Sequence, residues 1–315
     1  MTMLANIPDE ATLKDLVRQE MSRANMSQGR LAKESGITQA RLSLWFSGKY
    51  SGNNEAIAQE LYRWLNAAQQ RASDNKRLAS APEWKPTPTA QEIIDALRYA
   101  QSAGDIALIY GGAGLGKTTT ARRYQEDYPN VWIATMTPAM NTVAAALERV
   151  AGSVGLPEAQ ASAVKAENAI VARLDGTGGL LVIDEAQHLP VSGLEAIRSI
   201  HDATGIGLAL MGNESVYARI TGGTRQATFA QLFSRVGYKT RLTTPKVGDV
   251  EIIISAWGVT DKKGQKLCFE IAKQAGALRG LTKVLKLGSA MLGEGEERIS
   301  VDHIQAAWVK LGGAN

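Results

Sequence analysis

The stretch IALIYGGAGLGKTTTARRYQ (106–125) constrains this chain more than any other. The apolar run from Ile106 to Tyr110 predicts a strand buried on both faces. GGAGLGKT (111–118) follows it directly, with the spacing G-x-x-x-x-G-K-[ST], and opens a predicted helix. Gly111, Gly112, Gly114 and Gly116, with Ala113 and Leu115 between them, let the loop turn its amide hydrogens inward around a negatively charged group. The helix N-terminus, reaching Thr119, adds the positive end of its dipole. Such a cradle suits the phosphates of ATP: Lys117 is expected to reach the β- and γ-phosphates and the Thr118 hydroxyl to ligate Mg²⁺.

Three more apolar runs, VWIAT (131–135), LLVID (180–184) and GLALMG (207–212), recur with room for crossover helices between them. The pattern predicts an α/β core, a parallel sheet flanked by helices. From about residue 245 the pattern turns helical, with Ile252, Ile253, Trp257, Leu267, Ile271, Leu278, Leu281, Leu285, Ile304 and Trp308 as expected core positions. Residues 10–72 also read as helical, and APEWKPTPTAQ (81–91), with Pro82, Pro86 and Pro88, reads as an extended linker. Four segments are therefore expected: an all-α domain (1–80), the linker (81–91), an α/β core (92–244) and a C-terminal helical lid (245–315).

LLVIDEAQHL (180–189) supplies the partner of the phosphate loop. Asp184, at the strand end, is expected in the Mg²⁺ shell, and Glu185 at the tip is placed to polarise an attacking water. A protein that only binds nucleotide has no need of Glu185, so the pair points to hydrolysis. Asn213, closing LALMGN, is expected to hold the lytic water against the γ-phosphate. FAQLFSRV (229–236) is expected to carry Arg235 at a helix end, where a guanidinium can stabilise transition-state charge on a neighbouring subunit's nucleotide. Arg279, in GALRGLTKVLKL (276–287), is expected to sense the γ-phosphate in cis.

Composition narrows the partners. The single cysteine, Cys268, cannot form an internal disulfide, which suits a reducing cytoplasm. Three histidines, at 188, 201 and 303, argue against a zinc site. The N-terminus has no signal-peptide pattern, and no apolar run is long enough for a bilayer, so no membrane partner is expected. The net charge of +4 is unevenly spread. Residues 1–80 carry 11 Lys/Arg against 8 Asp/Glu, 81–235 carry 12 against 15, and 236–292 carry 10 against 4. Basic flanks of this kind suit a phosphate backbone.

MSQGRLAKESGITQARLSLWFSGKY (26–50) reads as a helix-turn-helix. Gln28 opens the first helix, Leu31 points inward, Ala32 is small at the crossing and Gly36 permits the turn. Thr38 caps the second helix, Ile37, Leu42 and Trp45 fill the core, and Gln39, Ala40 and Ser43 face outward. Gln39 is the one good base reader of this set, while Arg41 and Lys49 suit phosphate.

The ordered set GGAGLGKT, LLVIDEAQHL, LALMGN, LFSRV and GALR resembles the Walker A, Walker B, sensor 1, arginine finger and sensor 2 motifs of AAA+ ATPases. VWIATMTPAM, GIGLALMGNESVY, TGGTR and GKYSGNNE further resemble the B-protein family of Mu-type transposing bacteriophages, over roughly residues 20 to 310. That resemblance implies an ATPase that binds double-stranded DNA without sequence preference, forms helical filaments or other homo-oligomers on it, delivers target DNA to a transposase and is removed by hydrolysis. It implies a bacterial host cytoplasm as its setting. It also implies that the loop after the second strand, with Thr137, Asn141 and Thr142, lines a DNA channel; Lys165, Arg149 and Arg173 are further candidates. Two alternatives stay open on the residues themselves: a helicase-loader ATPase, and a nucleotide-switched reader of a defined DNA sequence.

Overall fold

A computed structural model describes residues 7–77, 82–157, 162–221, 235–292, 296 and 298–313. The chain divides into two compact units, Met1–Ser80 and Ala81–Asn315.

The described residues of the first unit form four helices, α1 (Glu10–Arg23), α2 (Gln28–Ser35), α3 (Gln39–Phe46) and α4 (Asn54–Arg77). Their starts are written locally: the Asp9, Ser27 and Thr38 side chains accept from the backbone N–H of Thr12, Arg30 and Arg41. Gly36 ends α2 with φ 75°, so α2 and α3 form the expected helix-turn-helix. Leu13, Val17, Leu31, Ile37, Leu42, Trp45, Ile57, Leu61, Trp64 and Leu65 make the core. Glu34 ties α2 to α4, accepting from Trp64 Nε1 at 3.2 Å and lying 3.7 Å from Arg71.

The second unit opens with α5 (Pro88–Ala103), capped by Thr87 and started by Pro88, whose missing N–H has no role at that position. The helix thus begins inside the stretch read as linker. Then follow β1 (Ile106–Gly111), α6 (Lys117–Asp127), β2 (Val131–Thr135), α7 (Val143–Ser153), α8 (Ala163–Leu174), β3 (Leu180–Asp184), α9 (Val191–Thr204), β4 (Gly207–Gly212), α10 (Glu214–Thr221) and β5 (Val236–Leu242). The five strands form one sheet in the order β2-β3-β4-β1-β5, with parallel neighbours throughout. β1, β3 and β4 are buried at every position, because helices cover both faces.

β5 is the strand the sequence reading lacked. Its residues VGYKTRL alternate between buried and exposed along the sheet edge, so no continuous apolar run marks it. Val236 therefore opens a strand instead of closing a helix, and Arg235 stands in the turn just before it. The rest of the expected FAQLFSRV helix lies outside the described residues.

Four helices complete the lid: α11 (Val247–Ala256), α12 (Lys262–Ala272), α13 (Ala277–Ala290) and α14 (Val301–Lys310). Ile254, Cys268, Ile271, Leu278, Leu281, Leu285 and Ile304 are in their core, while Ile252 is only half-buried. A buried clip joins the lid to the α/β layer. Asp249, fully buried, accepts from Thr89 N (2.8 Å), Thr89 Oγ1 (2.5 Å) and Lys246 N (2.7 Å).

Candidate active site

The parallel sheet brings the ends of β1, β3 and β4 to one edge, and Lys117, Asp184, Glu185 and Asn213 follow or close those strands. The loop after β1 is tightly enclosed. A Cβ on Gly111 (φ 145°) would stand 1.8 Å from Leu242 O of β5, and one on Gly114 (φ 83°) would stand 2.0 Å from Gly276 O of the lid. Gly116, left-handed at φ 88°, starts α6 with no side-chain cap, so the first N–H groups of α6 are left for a ligand in the loop.

Lys117 Nζ donates to Gly111 O at 2.9 Å and Gly112 O at 2.8 Å, folded over its own loop. Burial pulls its pKa down, against the opposing pull of the Glu185 and Asp184 carboxylates. Thr118 Oγ1 donates to Asp184 Oδ2 at 2.7 Å, and Asp184 Oδ1 accepts from Glu185 N at 3.0 Å. Asp184 is buried, which raises its pKa, while the Thr118 bond lowers it. A hydroxyl and a carboxylate oxygen this close are hard donors that fit Mg²⁺, an ion that takes few protein ligands and relies on phosphate oxygens and water. Among the described residues no group of three His, Cys, Asp or Glu is placed to hold a metal alone.

Glu185 sits in the left-handed region (φ 55°), at the head of a 3-10 turn, Ala186–His188. Its Oε2 accepts from Gln187 Nε2. Asn213 Oδ1 accepts from Ser215 N (2.9 Å) and Ser215 Oγ (2.5 Å), while its backbone N–H donates to Gln187 Oε1 at 3.4 Å. The amide expected to meet the lytic water therefore also caps α10. From the lid, Arg279 N donates to Gly114 O at 3.2 Å, and the Arg279 side chain lines a cavity of 670 Å³ with Gln274, Lys283, Gln305 and Trp308.

Arg235 is elsewhere. Its Nε lies 3.0 Å from Asp202 Oδ1, near the end of α9. It precedes β5, whose far end meets the loop through Gly112 N and Leu242 O, 3.2 Å apart. Seven residues of strand (236–242) at about 3.3 Å each separate it from its own loop.

The expected DNA contacts fall in both units. Gln39, Ser43 and Lys49 are exposed in the first unit, with Gln39 Oε1 folded back towards Gly29. Arg41 Nε donates to Tyr50 Oη at 3.1 Å. In the second unit Asn141 and Thr142 are exposed after β2, Thr142 caps α7, Thr137 is half-buried, and Lys165 is exposed in the first turn of α8. Gln187 lies inside the LLVIDEAQHL stretch but was given no role there, and Asp202, Asp249 and β5 had no motif to announce them.

A family model for the Mu B transposition protein, C terminal, matches residues 234–311, and one for an AAA domain matches residues 100–220. The ATP-dependent target DNA activator B of Escherichia phage Mu is 37% identical over 308 residues, 97% of this chain and 96% of that protein. The chain belongs to the Mu B family. A second Mu B relative, the ATP-dependent target DNA activator B of Escherichia phage D108, is 36% identical over the same shares. The Mu-like prophage FluMu DNA transposition protein B of Haemophilus influenzae is 32% identical over 86% of this chain and 94% of its own length. A chain from the structure of Drosophila ORC bound to DNA is similar in fold, with a TM-score of 0.51 at 11% identity over 76% of this chain and 65% of that one. The Mu B member thus has an AAA+ α/β core, a helical lid and an N-terminal helix-turn-helix unit. No helix among its described residues is long and apolar enough to cross a membrane.

Proposed function

We propose that this chain is an ATPase of DNA transposition, which assembles on duplex DNA in its ATP-bound form, presents that DNA to a transposase and leaves on hydrolysis. The observation that carries the reading is the bond between Thr118 Oγ1 and Asp184 Oδ2, with Lys117 and Glu185 beside it, in a chain 37% identical to the ATP-dependent target DNA activator of phage Mu.

In this reading Lys117 leaves the Gly111 and Gly112 carbonyls for the β- and γ-phosphates, and the α6 N–H groups hold the phosphate chain. Thr118 and Asp184 would hold Mg²⁺, which when bound would neutralise charge on the phosphate oxygens. Glu185 takes the proton of the attacking water, Asn213 orients that water, and Arg279 follows the γ-phosphate from the lid. The water oxygen bonds to the γ-phosphorus as the bond to the β,γ-bridging oxygen breaks, leaving ADP and phosphate. Arg235 serves the site of a neighbouring copy, a role its distance from its own loop supports.

Duplex DNA is gripped through phosphate. The loop after β2 with Thr137, Asn141 and Thr142, together with Lys165, is the main candidate, and Gln39, Arg41, Ser43 and Lys49 form an accessory contact. Many copies on one duplex turn weak individual contacts into firm binding. Electron microscopy of the full chain with random-sequence duplex tests the reading: filaments or rings with ATP and none with ADP support it. Binding confined to a short palindrome sinks it in favour of a sequence-reading regulator. Co-purification with a helicase sinks it in favour of a loader.

A further inference from the structure

The 3-10 turn after Glu185 throws one side chain across the sheet edge, from the end of β3 to the end of β4. That side chain is Gln187. Its Nε2 donates to Glu185 Oε2, and its Oε1 accepts the N–H of Asn213 at 3.4 Å. The close approach is made possible by Gly212, where a Cβ would stand 2.3 Å from Gln187 Oε1 and 2.4 Å from Val216 Cγ2. The Gln187 amide thus lies where a side chain on the last residue of β4 would be. One planar group bonds the carboxylate on one side and the backbone preceding α10 on the other.

We propose that Gln187 is a positioning residue for hydrolysis, which couples the orientation of the Glu185 carboxylate to the β4–α10 turn that carries Asn213. This rests on the reading of Glu185 and Asn213 as the groups that handle the lytic water. The chemistry of the side chain is specific. It must donate to a carboxylate and accept from an amide at once, which a primary amide does and an aliphatic or carboxylate side chain does not. Leucine would leave both partners without this bond; glutamate would set a second carboxylate against Glu185; asparagine is one methylene short. When Asn213 engages a γ-phosphate, a shift of its backbone is passed through the rigid amide to Glu185. Glu185 itself is held in the left-handed region at φ 55°, uncommon for a residue with a side chain, so its direction depends on such outside restraints.

The test uses the full chain with ATP, Mg²⁺ and duplex DNA, measuring single-turnover hydrolysis, KM and equilibrium ATP binding. For Gln187→Ala, hydrolysis is expected to fall between about tenfold and a hundredfold, as a base misplaced by an ångström would cause, with ATP affinity within about twofold of wild type. Gly212→Ala is expected to reproduce the loss by pushing the amide aside. The deciding comparison is made in a Glu185→Gln background, where Gln187→Ala is expected to cause no further loss, since its effect runs through Glu185. Wild-type rates for Gln187→Ala overturn the proposal. So does an equal loss of ATP affinity, or a further loss of rate beside Glu185→Gln, because either marks a merely structural role. A wild-type chain that binds ATP and never turns it over overturns the hydrolysis reading itself, and the coupling with it.

Discussion

Arg235 Nε lies 3.0 Å from Asp202 Oδ1, just before the start of β5 and so at the opposite end of the parallel strands from Lys117, which follows β1. Asp202 also bonds Arg198 Nη1, so the Arg235 side chain, 42% exposed, is seated on a small charged array while still open to a second molecule. Arg235→Ala is therefore expected to bind ATP normally and to lose about 10³-fold in turnover. Mixing it with Lys117→Ala is expected to restore part of that activity, since each supplies what the other lacks. Recovery in steady-state ATPase assays across mixing ratios checks this; no recovery at any ratio would place Arg235 outside a shared site.

Lys117 Nζ donates to the carbonyls of Gly111 and Gly112, the loop proposed to hold the phosphates. Lys117→Ala is expected to abolish binding of a fluorescent ATP analogue and, with it, ATP-dependent assembly on DNA. DNA assembly at wild-type ATP dependence in that variant would break the link between nucleotide and polymer.

Asp249 is fully buried and accepts three hydrogen bonds, two from Thr89 that join α5 to α11 and one from Lys246 N that caps α11 itself. Asp249→Ala leaves the buried N–H and hydroxyl of Thr89, and the part-buried N–H of Lys246, without their acceptor. A loss of about 2–4 kcal/mol is expected in denaturant unfolding of the second unit. Thr89→Val, which removes only the hydroxyl bond, is expected to cost less.

Glu34 accepts from Trp64 Nε1 and faces Arg30 and Arg71, and these partners, the indole first, hold its carboxyl below the usual range. A carboxylate with a depressed folded pKa stabilises the fold above its unfolded pKa, and that stability is lost as pH falls through the folded value. Acidification below the ordinary carboxylate range is therefore expected to weaken the first unit in wild type, and to weaken it less in Glu34→Ala, whose stability is already lower at neutral pH. Thermal melts followed by circular dichroism between pH 7 and pH 3 compare the two.

DNA affinity is expected to fall linearly on a log–log plot against salt, with a slope near −0.9 for each phosphate neutralised. Lys165→Ala is expected to lower that slope by about one if the residue meets a phosphate, and to leave it unchanged if it does not.

What could be read along the chain was whatever sits in contiguous residues. GGAGLGKT and LLVIDEAQHL announce Lys117, Thr118, Asp184 and Glu185 because a phosphate loop and a buried strand end each need several neighbours of fixed type. The helix-turn-helix was legible for the same reason, with Thr38, Gly36 and the apolar positions all local. β5 was not legible, since an edge strand open on one side keeps Lys239 and Arg241 among its residues and shows no apolar run. Gln187 and Asp202 were equally silent, because a polar residue in a turn or near a helix end has no pattern of its own.

The sequence by itself determined the type of every strand and helix built on a contiguous apolar or capped pattern, β5 excepted, together with the nucleotide loop and the order of the motifs, since these follow from local spacing and backbone preference. Only the tertiary structure decided that β1 lies between β4 and β5, that Gln187 spans Glu185 and Asn213, and that Arg235 is carried to the strand end away from its own loop. The physical reason is that strand order is set by crossover packing between segments far apart in the chain. A hydrogen bond across the sheet edge comes into being only when that packing is complete.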